Sequence, residues 1–119
     1  MDKPGPKDIE WLGTSRKDMK VLPLPVRRVS GYALYAAQLG ETTPDTKPLK
    51  GFGGAGVLEV VEDYWGNTYR AVYTVRFADK VYVLHVCQKK SKHGIETPKQ
   101  DLDLIKKRLK LAENLYRQK

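Results

Sequence analysis

The chain has 119 residues, of which 40% are apolar and 30% are charged, and its formal net charge is +8. This composition is unlike that of a disordered chain, and the length is typical of one domain, which we expect over residues 1–119 with residues 1–7 flexible. No apolar run is long enough to span a bilayer and the N-terminus lacks the apolar core of a secretory signal, so we expect a cytoplasmic protein without membrane contact.

The N-terminal part of the sequence predicts one strand and two helices. The segment "DIEWLG" alternates as a short strand does, and "TSRKDM" begins a helical turn. Residues 24–39 are predicted to form a helix, because apolar residues recur at intervals of three and four, Pro25 suits the first turn and Gly40 suits the end. Residues 41–56 are rich in proline and glycine and are predicted to form a loop.

The rest of the sequence predicts three strands and a final helix. The runs "VLEVVED", "TYRAVYTVRF" and "VYVLHVCQ" have separators short enough for hairpins, so we expect an antiparallel meander. From Pro98 onward one stripe is apolar, with Thr97 as the expected N-cap. This order predicts an α+β domain, in which two N-terminal helices and a C-terminal helix pack on one face of a small antiparallel sheet.

Cations crowd together where the last predicted strand ends. Lys89, Lys90, Lys92 and His93 follow one another closely, and residues 87–119 hold ten Lys and Arg against four Asp and Glu. Like charges repel, so this crowding indicates an anionic ligand. Neighbouring cations also disfavour protonation, so one lysine could act as a base while the others hold phosphate; the alternative is a solvated turn with ordinary titration.

The middle predicted strand carries two arginines. A period of two puts Arg70 and Arg76 on one face of this strand and Tyr73 on the other. We expect Arg76 to be solvated or paired with an acidic residue of the neighbouring strand. Arg70 differs, because its strand is expected to lie beside the one that ends at Lys89, where several cations converge. We expect its side chain to project toward solvent, so that its removal leaves a folded protein.

Other motifs argue against a cofactor or a metal. The segment "GFGGAG" matches a dinucleotide-binding pattern but lacks the preceding strand and following helix that such a site needs. His85 and His93 are not joined by a cluster of thiolates or carboxylates, so no metal site is predicted, and His85 is expected to be a core or half-buried histidine. Cys87 is the single cysteine and is expected to be a buried, reduced thiol.

Four segments together resemble a known family. "LKGFGGAGVLEV", "YRAVYTVRF", "VLHVCQKKSKHGIETPK" and the helix after Pro98 resemble the phage-derived Gp49-like branch of the RelE/ParE/HigB toxin superfamily. The resemblance implies a RelE-like, microbial-RNase-like α+β fold and a toxin of a type II toxin–antitoxin module. It further implies an endoribonuclease that binds the ribosome, cuts mRNA and so inhibits translation, with a helix-turn-helix antitoxin as partner. The implied chemistry is metal-free attack of a ribose 2′-hydroxyl on the adjacent phosphate.

The resemblance also implies site residues. Arg70 matches the family's middle-strand arginine and would bind phosphate, and Lys89 and Lys90 match basic residues that would neutralise the transition state. His93 is a proton carrier by its chemistry and matches no family position. The residues assigned to catalysis are Arg70, Lys89, Lys90 and His93, and those assigned to substrate binding are Lys50, Lys92 and Tyr73.

Two alternatives come from other functional classes. One is a non-enzymatic gyrase inhibitor of the ParE type, which shares the fold without the cationic set; the presence of Arg70, Lys89 and Lys90 favours the nuclease. The other is a basic RNA-binding module. The scarcity of exposed-looking aromatic residues near the cations weighs against that module, since base stacking is its usual device.

Overall fold

A computed structural model describes residues 5–54, 56–90 and 97–118. Within these ranges the chain forms five strands and three helices. They are β1 (Asp8–Trp11), α1 (Ser15–Lys20), α2 (Leu24–Gln38), β2 (Thr46–Pro48), β3 (Val57–Tyr64), β4 (Asn67–Thr74), β5 (Lys80–Lys90) and α3 (Lys99–Arg117). The strands form one sheet in the order β1-β5-β4-β3-β2. The predicted α+β class, with two N-terminal helices and one C-terminal helix, is confirmed.

The centre of the sheet is the predicted meander of β3, β4 and β5. Tyr64 pairs with Asn67, so β3 and β4 are joined by a two-residue turn. Both turn residues have positive φ angles, 51° at Trp65 and 81° at Gly66. This is the geometry whose backbone twist matches that of the flanking strands. Gly66 adopts it readily, whereas Trp65 is a residue type that rarely does.

Two strands differ from the prediction. β2 lies inside the segment predicted as a loop and pairs antiparallel with β3, with Lys47 opposite Glu59. β1 pairs parallel with β5, so the sheet is mixed and the purely antiparallel prediction was wrong. A three-residue edge strand that contains Pro48 is too short to show an alternating pattern, and the direction in which a strand pairs leaves no local signal.

The helices lie on both faces of the sheet, which corrects the prediction of one face. On one side α1 and α2 cover a core that includes Val26, Val60 and Ala71. On the other side Ile105 of α3 packs in a separate core with Val72. The predicted apolar stripe of α3 faces this second core. β4 is buried at every position from residue 68 to residue 74, as expected for a strand between two helical layers.

α2 ends shortly before Gly40, the glycine that the sequence predicted as its stop. Gly40 has φ +79°. Its N–H donates to the Ala37 carbonyl at 3.0 Å, and the Glu41 N–H donates to the Ala36 carbonyl at 2.8 Å. These two bonds satisfy carbonyls that the last turn of the helix would otherwise leave unpaired.

Arg76 lies beyond the end of β4, which stops at Thr74. Its Nη1 atom is 3.1 Å from Oε2 of Glu113 on α3. The predicted surface ion pair is therefore present, but its partner belongs to α3 and not to the neighbouring strand.

No helix in the described part of the chain is long and apolar enough to cross a membrane.

Candidate functional site

The sheet face beneath α3 is divided into an apolar half and a polar half. Side chains alternate along a strand, so Val57 and Glu59 of β3 share this face with Arg70 and Val72 of β4. α3 packs on the apolar half, where Val57 and Val72 lie together with Leu84. The polar half extends toward the β3–β4 turn. Charged side chains therefore collect where the packed core ends.

A cavity of about 590 Å³ lies on the polar half. It is formed by β2, the loop after β2, β3, β4 and the segment that precedes α3. Its lining residues are Lys47, Pro48, Leu49, Lys50, Gly51, Glu59, Val61, Asp63, Arg70, Thr97 and Leu102. Two residues assigned from the sequence, Lys50 and Arg70, both line it. A concave site of this size with a few convergent polar groups is typical of a ligand site.

Arg70 lines this cavity and is only 5% exposed. Its Nε atom is 3.9 Å from Oε2 of Glu59, on the neighbouring strand. The expectation that Arg70 projects into solvent was therefore wrong. β4 is the central strand of five, so neighbouring elements bury its side chains. The alternating pattern of a strand does not reveal whether it is central.

Glu59 is the residue that the sequence reasoning missed as a candidate site residue. Its side chain is 8% exposed, and Lys47 Nζ lies 3.7 Å from Oε1. The Thr97 hydroxyl donates to Oε2 at 3.4 Å. Thr97 is thus not the predicted N-cap of α3, a position that Pro98 occupies. The sequence did contain a sign of this role: Glu59 lies on the same face of its strand as the apolar residues Val57 and Val61, and a carboxylate on a buried face is unusual.

The cations of β5 are partly within the described residues. Lys89 is half-buried and pairs across the sheet with Thr68. The alternation of side chains places it on the same face as Arg70. The backbone of Lys90 pairs with Asn67. Lys92 and His93 lie outside the described residues, so their predicted roles stay predictions.

Tyr73 lies in the core on the opposite face of the sheet. It is 1% exposed and packs beneath α1 and α2. Burial raises the pKa of its hydroxyl to about 12. Tyr73 and Arg70 are three positions apart in one strand, and an odd separation puts side chains on opposite faces. This position does not fit the predicted role of Tyr73 in substrate binding.

A second polar cluster joins β5 to α3. Nε2 of His85 lies 3.1 Å from Oδ1 of Asp101, and Nδ1 lies 3.5 Å from Nη1 of Arg108. Cys87 is close enough for one ligand atom from each of His85, Cys87 and Asp101 to lie within 4.8 Å of the others. The expectation that no thiol or carboxylate completes a ligand set with His85 was therefore wrong. The predicted burial of His85 is confirmed, at 8% exposure.

An exposed tryptophan lies near the cations. Trp65 is 87% exposed at the β3–β4 turn. Asp63 lines both the main cavity and a shallow concavity beside Trp65. Trp65 is therefore an exposed aromatic residue beside the cavity lining, which the sequence analysis did not expect.

One comparison with known protein families agrees with the sequence resemblance. The profile of the family described as "Phage derived protein Gp49-like" matches residues 17–110. A chain in the crystal structure of the toxin–antitoxin complex RelBE2 from Mycobacterium tuberculosis is 23% identical, with a TM-score of 0.44, and the alignment covers 77% of this chain and 100% of that one. A comparison with curated proteins finds no match. The predicted resemblance to the Gp49-like family is confirmed by the profile match.

Proposed function

Because this chain belongs to the phage-derived Gp49-like family, a RelE-type toxin family, we propose that it is the toxin of a type II toxin–antitoxin module and cuts mRNA on the ribosome. The observation that carries the proposal is the cavity in which Lys47, Lys50 and Arg70 converge. Cations positioned before the substrate arrives stabilise the charge that develops on a phosphate under attack.

The proposed reaction is attack of a ribose 2′-hydroxyl on the adjacent phosphate. Arg70 binds the phosphate through its planar guanidinium group, and Lys50 adds positive charge from the loop after β2. Lys89 extends the cationic surface on the same face. Because Arg70 is buried beside Glu59, its side chain is held in place before the substrate binds, which lowers the entropic cost of orienting the phosphate.

The ribosome and an antitoxin are the proposed partners. The cavity presents cations suited to phosphate, and phosphate contacts position a nucleic acid without reading its sequence. We therefore expect the ribosome to present the mRNA in the reactive orientation. The family resemblance implies a helix-turn-helix antitoxin, and the net charge of +8 favours one whose acidic segments cover the cationic face.

Expression of the toxin without its antitoxin tests this function. We expect translation to stop and new mRNA 5′ ends to map within codons on ribosomes, while naked RNA is cut slowly or not at all. The Arg70→Lys variant, which loses the planar fork, is expected to produce far fewer new ends than the matched surface variant Arg76→Lys. Continued translation with DNA breaks and co-purifying gyrase would contradict the nuclease and support the gyrase inhibitor.

Trp65 favours a second candidate function, RNA binding without cleavage. Exposed aromatic side chains stack on nucleobases, and a basic domain with such a side chain can hold a single strand. The same experiment separates the two functions. A protein that only binds RNA would protect transcripts or stall ribosomes without creating new 5′ ends.

A further inference from the structure

A buried carboxylate lies in a cavity that is otherwise suited to an anion. Glu59 is the buried acidic residue of the cavity lining, with its side chain 8% exposed. A carboxylate repels phosphate, so a site that only held phosphate would gain from it no more than the positioning of Arg70. Glu59 is part of β3, which is paired on both sides, and its position is therefore held by the sheet.

The contacts of Glu59 do not use all of the hydrogen-bonding capacity of its carboxylate. Lys47 approaches Oε1 at 3.7 Å, and Arg70 approaches Oε2 at 3.9 Å. The Thr97 hydroxyl donates to Oε2 at 3.4 Å. These distances are longer than those of strong charge-assisted hydrogen bonds, and a carboxylate offers about four lone-pair positions. Both oxygens can therefore accept a further hydrogen bond from a ligand.

The position of Glu59 relative to Arg70 suits the reacting groups of RNA. Glu59 pairs with Val72 and Arg70 pairs with Val61, so the two residues are diagonal neighbours on one face. In RNA, the attacking 2′-hydroxyl and the phosphate that it attacks are also adjacent. A cation for the phosphate and a base for the hydroxyl therefore lie side by side.

Other described groups on this face are less suited to accept the proton. Asp63, which like Glu59 is two positions along β3 from the partner of Arg70, is exposed and already accepts a hydrogen bond from the Thr68 hydroxyl at 2.8 Å. His85 is in contact with Asp101 at 3.1 Å and does not line the cavity. Burial raises the pKa of the Cys87 thiol to about 11, so at neutral pH it is protonated.

We propose that Glu59 accepts the proton of the attacking 2′-hydroxyl, a role that rests on the proposed nuclease function. The 2′-O–H bond breaks and its proton passes to a carboxylate oxygen of Glu59, while the 2′-oxygen forms a bond to phosphorus. The bond from phosphorus to the 5′-oxygen breaks and that oxygen takes a proton from water. The hydroxide that remains recovers the proton from Glu59, which returns the carboxylate to its starting state. The products are a 2′,3′-cyclic phosphate and a 5′-hydroxyl end. Arg70 and Lys50 contact the non-bridging phosphate oxygens throughout.

Several charged groups face the Glu59 carboxylate. Lys47 of β2 and Arg70 of β4 are in contact with it, and Lys50 lines the same cavity. Cys87 of β5 interacts with it electrostatically, and Asp63 lies on the same face of β3. On the α3 side the facing group is the neutral Thr97 hydroxyl.

The test is the pH dependence of single-turnover cleavage of mRNA on purified ribosome complexes. We expect the Glu59→Gln variant to be at least about 100-fold slower than the parent and to lack the acidic limb of the pH profile. Glu59→Asp is expected to recover part of the rate together with that limb. The matched control is Glu62→Gln, the same substitution on the opposite face of β3, which is expected to keep the parent rate within about twofold.

A complex with a 2′-deoxy nucleotide at the cleavage position separates chemistry from binding. The Glu59→Gln variant is expected to bind this uncleavable complex within about threefold of the parent affinity. If the parent cuts no RNA, the proposed function is wrong and the role of Glu59 is lost with it. If the parent cuts RNA and the Glu59→Gln variant keeps the acidic limb, or loses affinity as much as rate, Glu59 only positions Arg70 and the inference is overturned.

Discussion

At the scale of single residues, burial changes what Arg70 contributes. The sequence predicted a solvent-facing side chain whose removal would leave a stable protein. In the structure Arg70 is 5% exposed and its partner Glu59 is buried beside it. Removing Arg70 leaves the buried Glu59 carboxylate with the exposed Lys47 ammonium at 3.7 Å, which compensates its charge less well than a buried partner does. Arg70 is therefore expected to contribute to both activity and stability.

The Arg70→Ala variant is expected to lose toxicity and about 3 kcal/mol of unfolding free energy, at the low end for a broken buried pair because the contact is long. Arg70→Lys keeps the charge and is expected to keep more of this stability. Growth arrest and denaturant unfolding measure both effects. The comparison variant is Arg76→Ala, whose exposed pair with Glu113 contributes roughly 1 kcal/mol or less. Equal stability of the two alanine variants would contradict the buried pair.

The thiol of Cys87 is expected to react slowly with disulfide reagents. Burial, assisted by the negative charge of Asp101, raises its pKa from 9.0 to about 11, although Arg70 and Lys89 partly oppose this shift. The thiolate is the reactive form, so its fraction at pH 8 falls about 100-fold. Reaction with an aromatic disulfide reagent at pH 8 is expected to be slower by at least this factor in native protein than in urea. Equal rates in the two conditions would contradict the shift.

At the scale of elements, the β3–β4 turn is the place where the residue type does not suit the backbone conformation. Trp65 adopts φ 51° in a turn that favours Asn, Asp or Gly. Its side chain is 87% exposed, so packing offsets little of the backbone cost. This turn therefore retains a strained residue at the edge of the proposed RNA-binding surface.

Replacing Trp65 with Asn is expected to raise the unfolding free energy by about 1 kcal/mol, because Asn tolerates the left-handed conformation. Trp65→Val is the matched control and is expected to lower stability, since a β-branched side chain is poorly suited to positive φ. Denaturant midpoints at a common slope give both values. An Asn variant less stable than the parent would show that the indole packs more than its exposure indicates.

At the scale of the whole molecule, elements distant in sequence supply the polar groups of the site. Lys47 comes from β2, Glu59 from β3, Arg70 from β4 and Thr97 from the segment before α3. The positive charge in the cavity is therefore carried by side chains. The cluster of His85, Cys87 and Asp101 is not part of the cavity lining.

We therefore expect cleavage to survive metal removal, because these side chains can neutralise the phosphate without a metal ion. The toxin is treated with EDTA and freed of it by gel filtration before it meets intact ribosome complexes, so that the ribosomes keep their magnesium. The cleavage rate is expected to match that of untreated toxin. Loss of activity that one divalent metal restores would contradict this prediction.

The sequence was sufficient for features that depend on neighbours along the chain. The alternation in β3, β4 and β5, the glycine at the end of α2 and the apolar stripe of α3 all produce local patterns, and each was predicted. The side of β4 that carries Arg70 was predicted for the same reason, since alternation within one strand needs no tertiary contact.

Tertiary packing decided the features that depend on distant segments. The parallel pairing of β1, the placement of α3 on the second face and the burial of Arg70 leave no pattern within any one element. The meeting of Glu59 with Lys47, Arg70 and Thr97 is of the same kind, because four separate segments bring these groups together. Local propensity constrains each segment, whereas burial and electrostatic pairing depend on how the segments pack.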